Sequence, residues 1–577
     1  MIVLAMFTHP SLAAEDALNG FDKAHNLWEA LQEAETEVGI QRSVLELLGR
    51  SPAIQDQDAI VAARQRLEQA EREVEAAIEA ADLADLQDRL RAAQAERDEK
   101  VESLIAPGAA YHAAAERRKQ AEARIEAAQP QLAQKSPQEL RELAALALEI
   151  ERIDRKRNAA RRAWWHRGEV RPLYQAADRL WNEFNRATGR DEAVVAARQA
   201  VTEARRALDA AIAEALEQHE PFDWARQALQ EAQQQQQELR DELAAVRRAL
   251  IGERQWHHEV MVPQRPRRGQ EQPDRPASLW LPPDVENVRG VIVSQPPALG
   301  PRLLGDPWVR MAAADQGLAI IRFEALDALF DYSTDTPQRF QDALDALAEK
   351  AGHPELAGAP ILALGHSVSG IFARNIAYWQ PDRAIGVIHI KSGNMHQHRP
   401  DPQLSLAGVP FLAINGEFEQ FGPEGGIRPA YGRQTQWVMI REQMLRFRRD
   451  DPAHLMRLLV HPTGDHGDWS TELSHYCALF IRKAAQQRLP ENVPPAGDGP
   501  ITCRPIDPER GWLTDARLSE PRHAPAPYAE YEGDRADAFW HLDQELAEAT
   551  YRYHEGRLLL PDPTLQSPIP DDWPPQR

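Results

Sequence analysis

The chain has 577 residues, too many for one ordinary domain, and a formal net charge of −22. That charge argues against nucleic acid or an anionic membrane as the main partner, because both select basic surfaces. Apolar residues make up 43% of the sequence, but no run of 18 occurs, so no membrane-spanning helix is expected.

Residues 1–19 read as an N-terminal segment with the pattern of a secretory signal. A short apolar core, Ile2 to Phe7, is followed by Ser11-Leu12-Ala13, with small residues at −3 and −1 of a cleavage site after Ala13. No basic residue precedes the core. The expectation is a secreted or periplasmic protein, with a cytoplasmic one as the alternative.

Residues 20–262 are rich in Ala, Glu, Arg, Gln and Leu, with apolar positions recurring every three or four residues. This predicts long packed helices or a coiled coil. Leu83, Leu86, Leu90, Ala93, Arg97 and Leu104 trace a partial heptad seam in which Arg97 is the imperfection. Breaks at Gly49–Pro52, Pro107-Gly108, Pro130, Ser136-Pro137, Gly168, Pro172, Gly189 and Pro221 predict six to eight helices folding back as antiparallel hairpins. Residues 59–78 align with 193–212 at 11 identities in 20, sharing Val-Ala-Ala-Arg-Gln, which reads as a duplicated helical unit. A shorter echo, QAEARIEAA at 120–128, matches 69–77. The basic run Arg152–Arg171 with Trp164 and Trp165 reads as a solvated helix face over a buried tryptophan pair, with polyanion or sugar binding as the alternative. Gln233–Gln237 is a polar helical run. The expected role of the region is self-association into a homo-oligomer or attachment to the cell envelope.

Residues 263–277 are proline-rich and charged, which predicts a linker. Over 278–490 short apolar runs alternate with helical stretches. Strands are expected at 278–281, 290–294, 318–323, 361–364, 385–390, 411–415 and 455–460, and helices at 305–316, 337–351, 369–379, 435–450 and 470–487. This alternation implies a mostly parallel sheet with helices on both faces. The tail, 491–577, is proline-rich and then predicts one amphipathic helix with Phe539, Trp540, Leu542, Leu546, Ala549 and Tyr553 on its apolar side.

The chemistry concentrates at Gly365-His366-Ser367-Val368-Ser369-Gly370. An apolar strand that ends on Gly-x-Ser and restarts as a helix forms an elbow that lifts one serine hydroxyl above the sheet. A serine nucleophile needs a base, and the base an orienting carboxylate. The strand ending at Asn415 leads into Gly416-Glu417-Phe418-Glu419, where Glu419 is the first choice of acid and Glu417 the alternative. The next strand leads into His461-Pro462-Thr463-Gly464-Asp465-His466, where His466 is the first choice of base and His461 the second.

With these motifs, residues 278–490 resemble an α/β-hydrolase, similar to bacterial esterases related to dienelactone hydrolases and feruloyl esterases. The resemblance implies that Ser367 attacks an ester carbonyl, that His466 takes its proton and passes it to the leaving alcohol, and that Glu419 holds the imidazolium. It implies an oxyanion hole from the backbone N–H of Val368 and, from the loop Gln295-Pro296-Pro297, that of Gln295. The elbow departs from the pattern at Ser369, where glycine is usual. No cofactor is expected. The substrate would be a small-molecule or polysaccharide-linked ester. A peptidase of the same fold and a helical scaffold with an inert hydrolase-fold module remain as alternatives.

His389, His396 and His398 form a His-rich stretch without a Cys or spaced carboxylate to complete a metal site, and read as surface or pocket-lining residues. The loop Gly422–Gly426 beside the acid turn has the composition of a lid. Cys477 and Cys503, the only cysteines, fit either a disulfide or two separate thiols.

Overall fold

The computed structural model describes residues 20–105, 109–163, 170–252, 256–266, 270–297, 299–327, 329–393, 395, 404–417, 419, 436–491, 499–518, 521–554, 557 and 558. The signal-like N-terminus, His396, His398, Trp164, Trp165 and the Gly422–Gly426 loop lie outside them. The chain divides into two compact units, residues 27–242 and residues 1–26 with 243–577.

The first unit is helical. Its elements are α1 (Gly20–Gly49, shared with the second unit), α2 (Pro52–Gln55), α3 (Asp58–Ala80), α4 (Ala84–Ile105), α5 (Ala109–Ala128), α6 (Pro137–Ala163), α7 (Arg171–Thr188), α8 (Glu192–Gln218) and α9 (Asp223–Ile251, also shared). The pairings are nested: α3 packs on α8, α4 on α7 and α5 on α6. Pro137 and Pro172 sit in first turns, where a missing N–H costs nothing. The turn between α3 and α4 contains neither glycine nor proline, and there Asp82 takes φ +56°. Arg97, the flaw in the leucine seam, lies 5.2 Å over the ring of Tyr174 on α7, so the cation packs on an aromatic face.

The two copies of the repeat are the paired helices α3 and α8. Ile60 and Ala215 share one buried cluster, and Ile78 and Val194 share another, so the pairing is antiparallel. Ile60 aligns with Val194 in the repeat, and Ile78 with Ile212. Each copy therefore presents the same apolar stripe to the other.

The second unit is built on an eight-stranded sheet: β1 (His258–Val262), β2 (Arg275–Trp280), β3 (Gly290–Ser294), β4 (Leu318–Phe323), β5 (Ile361–His366), β6 (Ala384–Ile390), β7 (Phe411–Gly416) and β8 (Met456–His461). The spatial order is β1-β2-β4-β3-β5-β6-β7-β8. β1 runs antiparallel to β2 and β2 to β4, and the rest are parallel. Strands β3 and β5–β7 are buried on both faces, which is why they read as mostly apolar runs, with His389 inside β6 as the exception. The crossovers are α10 (Leu299–Leu304), α11 (Pro307–Gln316), α12 (Thr336–Ala351), α13 (Val368–Trp379) and α14 (Gln436–Asp450), and α15 (Thr471–Arg488) follows β8.

Residues 20–26 belong to this unit. Phe21 meets Trp308 edge-on at 6.1 Å, and Arg482 donates to both carboxylate oxygens of Asp22 at 2.6 and 2.9 Å. The helical region expected over 20–262 and the linker over 263–277 thus contain two strand segments, since β1 covers 258–262 and β2 begins at Arg275. The tail differs more. Phe539 and Trp540 stand on a strand, β11 (Ala538–His541), which joins β9 (Trp512–Asp515) and β10 (Ala526–Pro527) in a second sheet of three strands. The helix, α16, starts only at Gln544 and runs to His554. Trp540 is buried and donates from Nε1 to Pro508 O, an anchor that its strand backbone aims.

Candidate active site

Strand β5 delivers Ser367 at φ +57°, ψ −127°, and α13 starts at the next residue. A non-glycine residue in this region carries strain of about 1–3 kcal/mol, which the surrounding contacts must hold. Ser367 N–H donates to Ile390 O at 2.9 Å. Gly365 is required, because a Cβ there would lie 1.7 Å from Ser369 O. Ser369, the departure from the usual pattern, is fully buried, and its hydroxyl donates to Pro296 O. The serine thus ties the elbow to the loop after β3. In that loop Gln295 spends its side chain on structure: Oε1 accepts from Leu326 N–H at 3.1 Å, and Nε2 donates to Asp327 O at 2.9 Å. Val368 opens α13, where a helix has no internal partner for its N–H.

Strand β7 ends at Gly416, and Glu419 folds back over it. The buried carboxylate accepts from Gly416 N–H at 3.1 Å and Asn415 Nδ2 at 3.2 Å through Oε2, and from His466 Nδ1 at 2.6 Å through Oε1. The Nδ1–H bond leaves Nε2 as the free base nitrogen of His466, whose side chain is 49% exposed. Gly416 also lets the two loops touch main chain to main chain, since a Cβ there would meet Gly464 O at 2.5 Å.

Glu417 points elsewhere. Its Oε2 accepts from Thr463 N–H at 2.7 Å, so it braces the turn before His466. His461 lies under the same turn, where a Cβ on Gly464 would come 2.5 Å from its Nδ1, and burial pulls its pKa down to about 4. The structure therefore brings Glu419, not Glu417, to His466. Among the described residues no hydrogen bond joins Ser367 to His466; such contacts often close only around substrate.

Nothing in the sequence gives His366 a role beyond its place in the elbow. Its Nε2 donates to His466 O at 3.1 Å, and the two rings stand 4.8 Å apart. Burial lowers its pKa, which favours a neutral ring with the proton on Nε2. The residue before the nucleophile thus holds the main chain of the base.

His389 is completely buried on β6, and burial pulls its pKa down to about 3. Among the described residues no three His, Cys, Asp or Glu side chains are grouped to hold a metal ion, and no helix is long and apolar enough to cross a membrane. Cys477 and Cys503 are free and buried, and burial raises the Cys503 thiol to about 11. Arg157, in the basic run of α6, donates to Glu102 at 2.9 Å. A cavity of about 710 Å³ lined by Tyr332, Gln338, Trp379 and Gly358 sits by the residues that enter β5, at the far end of that strand from Ser367.

No protein-family model matches the chain, and no curated protein matches its sequence. Similar solved structures include the esterase domain of a Rhodothermus marinus protein, at 13% identity over 40% of this chain and 98% of that one, with a TM-score of 0.24. LpqC, a poly(3-hydroxybutyrate) depolymerase from Bordetella parapertussis, is similar at 17% identity over 41% and 92%, with a TM-score of 0.28. An IroE-like serine hydrolase from Shewanella oneidensis is similar at 11% identity over 39% and 78%, with a TM-score of 0.27. By its strand order, its antiparallel β2 and the elbow after β5, the second unit has the α/β-hydrolase fold.

Proposed function

We propose that the chain is a serine hydrolase that cleaves a carboxylic ester through an acyl-enzyme. Ser367 is the nucleophile, His466 the general base and then general acid, and Glu419 the carboxylate that orients the imidazole. The observation that carries this reading is the 2.6 Å bond from His466 Nδ1 to a buried Glu419, on the loop that His366 ties to the elbow. It fixes the tautomer a base needs and keeps a negative charge beside the imidazolium that forms when Ser367 loses its proton.

In the first half-reaction, Ser367 Oγ attacks the carbonyl carbon while Nε2 of His466 accepts the proton. The oxyanion is held by the N–H of Val368 and, from the loop after β3, that of Gln295. His466 then protonates the leaving alcohol. Water, deprotonated by the same nitrogen, releases the acid. No step needs a metal or an organic cofactor. The secretory-type N-terminal pattern agrees with an exported enzyme, and the helical unit with self-association or envelope attachment.

The test is labelling with a fluorophosphonate probe together with hydrolysis of short-chain p-nitrophenyl esters. Wild-type protein should label and turn over, and Ser367→Ala should do neither. Turnover retained in Ser367→Ala would remove Ser367 as nucleophile, and an inert wild type would favour the binding-module alternative.

A further inference from the structure

The segment that leaves β6 touches the elbow, the strand that leads to the acid and the loop that carries the base. Ile390 O accepts the N–H of Ser367, and Lys391 N–H donates to Ile414 O at 2.6 Å, on the strand that leads to Glu419. The Lys391 side chain continues to the third loop. Its ammonium donates to Asp465 O and, at 2.5 Å, to Asp468 O, the carbonyls on either side of His466. One residue on, Ser392 O accepts from Gln436 Nε2 at 2.6 Å, while Gln436 N–H donates to Glu419 O at 2.9 Å.

Lys391 is 1% exposed and takes φ +45°, a conformation that disfavours any residue with a Cβ. An ammonium in such a place loses most of its hydration, and the main-chain carbonyls restore only part of it. Burial accordingly lowers its pKa, and the nearby carboxylates of Glu419, Asp468 and Asp465 oppose that shift. Packing alone would be served as well by methionine. A cation here makes sense if its hydrogen bonds hold something that must not drift.

We propose that Lys391 is a positioning residue: its ammonium straps the 465–468 loop to the end of β6, and so sets His466 against both Ser367 and Glu419. The proposal rests on the triad reading for its catalytic part, but the strap is a property of the loop and can be read without activity.

Three full-length proteins test it: wild type, Lys391→Met, which keeps length without charge, and Lys391→Gln, which keeps one donor. Amide hydrogen exchange is followed over 462–469 and over β5–β8, alongside fluorophosphonate labelling of Ser367 and ester kinetics. In Lys391→Met, amides of 462–469 should exchange roughly tenfold faster while the strands stay protected. Labelling and kcat should fall about 10²-fold with KM within about twofold, the signature of a mis-set base. Lys391→Gln should fall between. Unchanged exchange over 462–469, or kcat close to wild type in Lys391→Met, overturns the proposal. Faster exchange across β5–β8 as well overturns it too, since the lysine would then support the sheet at large. If the wild type does not label at Ser367, the triad reading fails, and the exchange comparison still decides whether Lys391 holds the loop.

Discussion

Glu71 and Arg205 occupy the same position in the two copies of the helical repeat, and they face each other at 3.4 Å across the α3–α8 pair. Two copies of one sequence related by a local two-fold must bring one position against itself at the axis. Two equal charges there would repel, and the copies differ at that point by a change of sign. The pair is well exposed, so its energetic weight is small.

The stability of this helical unit resides in its stripe. Ile60 is fully buried, while its neighbour Val61 is 36% exposed. Ile60→Ala should destabilise the helical unit by about 2–5 kcal/mol, and Val61→Ala should be nearly neutral. Chemical denaturation followed by far-ultraviolet circular dichroism reads the difference.

For the acid, Glu419→Gln should lower kcat by about 10³-fold or more, because the amide no longer stabilises the imidazolium and its NH2 can turn toward Nδ1. Glu417→Gln should cost far less, since Thr463 N–H can still donate to the amide oxygen. Steady-state ester hydrolysis compares the two, and the reverse order would exchange their roles.

Ser369→Ala removes the hydroxyl that donates to Pro296 O. The loop carrying Gln295 then loses its tie to the elbow. The expected result is a kcat about tenfold lower, in line with a sub-ångström shift of an oxyanion donor, and a stability loss of about 1 kcal/mol. A kcat unaltered in Ser369→Ala would mean that Gln295 is held without this bond.

Buried histidines make the second unit acid-sensitive. Burial depresses His389 from 6.5 to about 3 and His461 to about 4. A histidine depressed in the folded state is charged earlier in the unfolded chain, so its contribution is complete above the unfolded value of 6.5. It is lost as pH falls from there toward the folded value. For His389 alone the loss between pH 6.5 and 5 is about 2 kcal/mol. Urea midpoints should therefore drop over that interval, and His389→Leu should flatten part of the slope.

Much of this organisation is visible in the residues. Strands β3 and β4 fall on the predicted bounds, because Val291–Val293 and Leu318–Ile321 are apolar runs that need no partner to be recognised. Strand β1, His-Glu-Val-Met-Val, is an edge strand whose exposed positions carry Glu259 and Met261, so it reads as part of the charged region around it. Phe539 and Trp540 lie at a spacing that helix and strand both allow, and only pairing with Thr514 and Leu513 decides. At the acid turn, Glu417 and Glu419 are alike in type, and only the fold-back onto Gly416 N–H separates them. Lys391 has no signal in one sequence, since a lysine after a strand usually ends in solvent.

Gly416 and Gly464 bring the acid turn and the base turn into contact through bare backbone. The stretch of chain between them, which carries Glu419, α14 and β8, thus returns to its own starting point. A side chain at that crossing would part the two turns, so Gly416→Ala should weaken the bond between Glu419 and His466 and lower ester turnover.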